Sequence, residues 1–176
     1  MKPLKDIRLN WRLKPQESCS SIKYLKKLDI DFDVYLPSKK MNLQRDLVWT
    51  LQQKRELIWS LLIDRHIPHL ALINCYSKTN ANEDVYLVID GKQRLTTMFD
   101  FVDDKFTIEI DGQEYFFSAL PDEYKSDILG GMKVRYWVIN EQFRNTITDE
   151  DKINWFKFLN FAGTPQDIEH INKLND

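Results

Sequence analysis

The sequence predicts an α+β fold: a mixed sheet with flanking helices and a small helical C-terminal cap. Three observations predict it. Leu70–Tyr76 and Val85–Ile89 are short apolar runs with the length of buried strands. Segments with apolar residues at helical spacing alternate with them, Thr50–Arg65 most clearly. Asp111-Gly112, set between Phe106–Ile110 and Tyr115–Phe117, marks a β-hairpin rather than a crossover. The 176 residues suffice for one domain whose core needs no disulfide or metal. With 43% apolar and 30% charged residues, the chain is neither disordered nor fibrous.

Residues 1–17 lack periodicity and are expected to form an N-terminal arm, followed by a domain over 18–145 and the cap over 146–176. Ser18–Leu28 opens with serines and spaces Ile22, Leu25 and Leu28 as a short helix would. Phe32–Leu36 alternates apolar and polar residues and stops at Pro37, as a strand does. A basic loop with Lys39 and Lys40 follows. Thr50 and Gln53 form a capping box for the long helix, and Leu51, Ile58, Leu61 and Leu62 share one face. Ile67-Pro68 is expected to stop it.

After Val85–Ile89 come Asp90-Gly91-Lys92-Gln93-Arg94, then Leu95, Met98, Phe99 and Val102 at helical spacing. Pro121–Ile128 reads as one or two helical turns, broken by Gly130-Gly131, and Lys133–Ile139 as a strand. Thr148–Leu159 is a helix with Asp149, Glu150 and Asp151 at its positive end. A turn at Ala162-Gly163 leads to a last helix with Thr164 as N-cap and Pro165 at its first position.

Several functions are excluded early. Cys19 and Cys75 stand alone, and with His66, His69 and His170 they are too scattered for a zinc site. His66 and His69 flank Ile67-Pro68 and read as ordinary loop residues. No G-x-S-x-G elbow occurs. No apolar run approaches signal-peptide or membrane-span length, so no membrane partner and a reducing, cytoplasmic setting are expected. Charge is uneven: residues 1–65 hold 14 Lys/Arg against 8 Asp/Glu, and residues 66–176 hold 11 against 19. The basic half is suited to a phosphate-bearing partner, or the drift is ordinary surface variation.

Residues 88–97, V-I-D-G-K-Q-R-L-T-T, carry the sharpest chemical signal. A strand ends at Asp90, Gly91 permits a tight turn, and a helix begins with free N–H groups, which is the geometry of an anion site. Lys92 and Arg94 add charge that suits phosphate, and Asp90 suits Mg²⁺ or a water. A plain corner, with Asp90 capping the helix and Arg94 in a surface ion pair, accounts for the same residues. The segment is not a Walker A loop. Gln44, Arg45 and Trp49 form a second group at the entry to the long helix. There Arg45 suits phosphate, and Trp49 suits either base stacking or the core. Asn160, in L-N-F-A-G-T-P at residues 159–165, ends a helix, with Glu169 beyond.

Taken together and in this order, these segments resemble the ParB/sulfiredoxin-like domain of the GmrS type. That domain is found at the N-terminal end of GmrSD-type modification-dependent restriction enzymes and as standalone bacterial and bacteriophage proteins. The family pattern runs Q-R-x-x-x-W, then I-D-G-Q-Q-R-L-T-T-L, then L-N-x-G-G-T-P with a downstream Glu. Here it is met by Gln44, Arg45 and Trp49, by Ile89–Gly91 and Gln93–Thr97, and by Leu159, Asn160, Gly163, Thr164, Pro165 and Glu169. Lys92 replaces a Gln and Ala162 a Gly.

The resemblance implies a ParB-like domain that binds, and in some relatives hydrolyses, a nucleoside triphosphate with Mg²⁺, in DNA restriction or phage–host conflict. It implies catalytic roles for Asp90 and Gln93, with Asp90 also a Mg²⁺ ligand. It implies phosphate or nucleotide contacts from Gln44, Arg45, Gly91, Lys92, Arg94, Thr97 and Asn160. Lys39 and Lys40 are candidates for DNA contact. The 176 residues hold no HNH-like histidine cluster, so cleavage of modified DNA is expected to need a partner nuclease. The alternatives are a DNA- or protein-binding module without turnover, such as a phage factor acting on a host defence complex, and DNA nicking within this domain. For nicking, Asp84 or Glu83 beside Asp90 is the nearest carboxylate grouping.

Overall fold

A computed structural model of the protein describes residues 13–76, 84–140 and 147–161. Its elements, in chain order, are β1 (Gln16–Ser20), α1 (Ile22–Leu25), β2 (Asp29–Asp31), β3 (Tyr35–Leu36), β4 (Met41–Asn42), α2 (Leu51–Leu62), β5 (Leu70–Tyr76), β6 (Asp84–Asp90), α3 (Lys92–Val102), β7 (Ile108–Ile110), β8 (Gln113–Tyr115), a 3₁₀ turn at Phe117–Ala119, α4 (Asp122–Ser126), a π turn at Asp127–Gly131, β9 (Val134–Ile139) and α5 (Asp149–Phe161). The expected last helix from Thr164 lies outside the described residues.

The fold is α+β, with a five-stranded mixed sheet in the order β1-β9-β5-β6-β2. β1 runs antiparallel to β9, and β6 antiparallel to β5. β9 is parallel to β5, and β2 is parallel to β6. β5 lies at the centre of the sheet, which explains its apolar run Leu70–Ile73. Leu70 and Leu72 pack on one face with Val88, Val134, Tyr136 and Val138, beneath α1, α2 and α3. Ala71 and Ile73 pack on the other with Ile89 and Ile139, beneath Ile153, Trp155 and Phe156 of α5 and Leu36 and Leu43 of the β3–β4 segment. The twofold alternation of a strand thus divides one run between two cores.

Local chemistry explains most boundaries. Thr50 accepts from the Gln53 N–H while the Gln53 side chain accepts from the Thr50 N–H, so the capping box forms. Thr148 and Asp151 cap α5 in the same reciprocal way. Asp111 and Gly112 both have positive φ, at 51° and 78°, and close the two-residue turn between Ile110 and Gln113.

Three expectations need correction. The helix expected from Ser18 shrinks to Ile22–Leu25, capped by Ser21, because Ser18, Cys19 and Ser20 pair with Tyr136, Arg135 and Val134 as an edge strand. The strand expected over Phe32–Leu36 keeps only Tyr35–Leu36. Asp31 accepts from the N–H groups of Asp33 and Val34 and turns the chain, leaving Val34 at φ 53°. The long helix stops at Leu62 rather than at Pro68, where Asp64 takes a left-handed φ of 53°. Among the described residues, no helix is long and apolar enough to cross a membrane.

Phe101 is fully buried, with ring centroids 5.5 Å from Phe106 and 5.8 Å from Phe117. Phe101→Ala should cost about 3–5 kcal/mol, read as a lower urea midpoint with an unchanged slope. At the other end of the molecule, the hydrogen bond from His69 holds the Glu17 carboxyl below its ordinary value of 4.5, helped by the charges of His69 and Arg135 against a desolvation that raises it. A carboxyl lowered on folding stabilises above its unfolded value and loses that contribution as pH falls through the folded one. The wild-type advantage in Tm over Glu17→Gln should therefore shrink as pH drops below 4.5.

Candidate functional site

The site is built on the corner between β6 and α3. Gly91 is the N-cap of α3, in the left-handed conformation with φ 99°. A Cβ at Gly91 would overlap Leu70 Cδ2 and come within 3.3 Å of the Arg94 guanidinium. Only glycine therefore gives this turn both its backbone and its close packing. Among the described residues no side chain caps the helix, and its first turn holds no acidic residue, so its first N–H groups and the positive end of its dipole stand without a side-chain cap.

The segment before α2 is tied to this corner by two neutral amides. β2 stops opposite Leu87, and beyond it the Gln44 amide donates to the carbonyls of Val88 at 3.0 Å and Ile89 at 2.5 Å. The Gln93 amide donates to Asp46 O at 2.8 Å and accepts from the N–H groups of Val48 and Trp49 at 3.1 and 3.3 Å. Gln93, expected in catalysis, thus spends its polar atoms in this structure on holding the entry segment.

Charged groups occupy the remaining positions. Arg94 pairs with Asp90 at 2.6 Å, one helical turn apart, and also donates to Pro68 O at 2.8 Å and His69 O at 3.4 Å. Lys92, only 8% exposed, reaches Asp33 at 2.6 Å. Among the described residues the Arg45 guanidinium makes no hydrogen bond or ion pair. Asn160 is buried and donates to Phe156 O at 2.7 Å, which leaves its side-chain oxygen without a donor among the described residues.

These side chains meet around one cleft of about 740 Å³, within the size range of small-molecule sites. Gln44, Arg45, Asp90, Gly91, Lys92, Gln93, Arg94 and Asn160 all line it. Trp49 lines it too, half-buried against the core. Thr97 does not: it is 1% exposed, one turn deeper along α3. Lys39 and Lys40 sit on the turn between β3 and β4, outside the cleft. Asp84 begins β6 while Asp90 ends it, so about 20 Å of strand separates them, and Asp84 bonds Asn74 instead. Glu83 lies outside the described residues.

Other lining residues escaped the sequence reading. Gln53, Glu56 and Ser60 of α2 project into the cleft, and His66, Ile67 and Pro68 wall it. The α2 residues carried a legible signal, a polar stripe at spacings of three and four. The wall residues carried none, because their place follows from Arg94 holding the Pro68 and His69 carbonyls.

The chain matches the family model of the GmrSD restriction endonuclease N-terminal domain over residues 23–176. It belongs to that family. No curated protein and no solved structure matches it. The family places the chain in a restriction-endonuclease-related role, and the matched span contains every element that builds the cleft. No three His, Cys, Asp or Glu residues gather as a metal cage among the described residues.

Gln93→Ala should free the entry segment without unfolding the core. Amide hydrogen exchange at Val48 and Trp49 should accelerate, by about the tenfold that the loss of a 1–1.5 kcal/mol hydrogen bond implies. Unchanged protection there would show that the Gln93 amide does not hold the segment.

Proposed function

We propose that the cleft binds a nucleoside triphosphate, with its phosphates at the N-terminus of α3. One observation carries the reading: Gln44, Arg45, Asp90, Gly91, Lys92, Gln93, Arg94 and Asn160, eight of the residues nominated by the family pattern, line a single cleft at the start of α3. That end of a helix attracts anions. Arg45 brings a cation with no internal partner among the described residues, and Lys92 and Arg94 flank the turn. An arriving phosphate competes with Asp90 for Arg94, since both are oxyanions and guanidinium takes either in a two-pronged grip. The carboxylate released in that exchange is the group that would hold Mg²⁺, which commonly uses one or two carboxylates together with substrate phosphates. The metal would neutralise phosphate charge.

A second reading, binding without turnover, is favoured by the commitments of the two expected catalytic groups. The Gln93 amide is spent on the entry segment, and Asp90 is bound to Arg94. Hydrolysis requires a released Asp90 to serve the metal or the water, whereas binding requires only that the phosphates be held. On either reading, the nucleotide state of this domain would serve a restriction activity.

The test is thermal unfolding with ATP, GTP, CTP and the dNTPs, each with Mg²⁺, for the wild type and Arg45→Ala. Ligand at about 100 times Kd adds about 2.7 kcal/mol, or roughly 5–10 °C for a chain of this size. Arg45→Ala should fold normally and lose most of the shift. A folded wild type that shifts with none of these nucleotides would refute binding. A phosphate-release assay on whichever nucleotide shifts the protein separates the two readings.

A further inference from the structure

On the far side of the Ile67-Pro68 wall lies a second cleft of about 420 Å³. Leu70, Met98 and Val134 are among its apolar lining, and Arg65, Lys133 and Arg135 contribute its cations. The cations are poorly neutralised. Among the described residues the Arg65 guanidinium has no partner. Lys133 reaches only the Gly130 carbonyl among the described residues, at 3.1 Å. Arg135 is 63% exposed and lies 3.6 Å from Glu17, whose same oxygen already bonds His69 at 3.0 Å. Asp64 is the single acidic residue in the lining among the described residues. His66 and His69 add ring nitrogens at the same rim.

The cations come from two separate elements. Arg65 follows the end of α2, whereas Lys133 directly precedes β9 and Arg135 is its second residue. A groove with positive charge on both banks and an apolar floor suits an extended polyanion better than a compact one, since successive phosphates can meet successive cations.

We propose that this second cleft is a phosphate-binding site that takes the backbone of a DNA strand, held by Arg65, Lys133 and Arg135. It is separate from the nucleotide cleft and does not depend on nucleotide binding there. It also differs from the lysines of the β3–β4 turn, since Lys39 and Lys40 line neither cleft.

The experiment is fluorescence anisotropy of the full chain with labelled single-stranded and duplex oligonucleotides between 50 and 200 mM salt. The wild type is compared with a triple variant, Arg65→Gln, Lys133→Gln, Arg135→Gln, and with Lys39→Gln, Lys40→Gln. The expected result is at least tenfold weaker binding by the triple variant at 50 mM salt. Its slope of log affinity against log salt should fall by about three, one for each phosphate that the variant no longer neutralises. The Lys39, Lys40 variant should bind as the wild type does. Equal affinity and slope in the triple variant, or no DNA binding by the wild type at 50 mM salt, would overturn the proposal. Displacement of the DNA by millimolar inorganic phosphate at constant ionic strength would overturn the strand reading in favour of a free phosphate ligand. The nucleotide-induced melting shift of the triple variant reads the first cleft separately, so either site can fail alone.

Discussion

The left-handed turn at Gly91, pressed against Leu70, is the constraint on which the site depends. It lets the chain leave β6 and enter a helix within one residue. Asp90 and Arg94 thereby stand one turn apart and meet. The same turn aims the open end of α3 at the space that α2, the entry segment and the end of α5 enclose. A side chain at position 91 would push the corner away from β5, and every distance in the cleft would change with it.

Around that corner, neutral and charged groups have separate tasks. Amides hold the scaffold: Gln44 and Gln93 stitch the entry segment to β6 and α3 through backbone groups. Cations are left to face the cleft or to pair with one carboxylate, as Arg94 does with Asp90 and Lys92 with Asp33. Holding the loop with amides costs no charge that an anionic ligand would want, and such bonds do not weaken with salt as surface ion pairs do. Arg94 has a second connection, because its bonds to the Pro68 and His69 carbonyls fix the wall between the two clefts. A ligand that takes Arg94 also pulls on that wall.

Legibility in the sequence followed the range of the interaction. The capping box of Thr50 and Gln53, the Asp111-Gly112 turn and the apolar run of β5 are local signals, and each appears where the pattern put it. Ser21 caps the short helix as expected, but Ser18 and Ser20 misled, since Ser18–Ser20 pair with β9, more than a hundred residues away. Thr97 misled for a related reason. It belongs to the same motif as Arg94, but the helix turns it into the core.

By itself the sequence determined the α+β class, the family and the charged and amide residue types at the β6–α3 corner, because these depend on spacing along the chain. It also determined that Gly91 must turn, since a strand running straight into a helix leaves few other ways to change direction. Only the tertiary structure decided that Gln44, Arg45 and Asn160 share one cleft with residues 90–94, because three separate segments must close on it. It also decided that Gln93 serves the loop and that Arg94 lies between two cavities. Those facts depend on where distant backbone carbonyls fall, and no spacing in the chain encodes a partner that folding brings from afar.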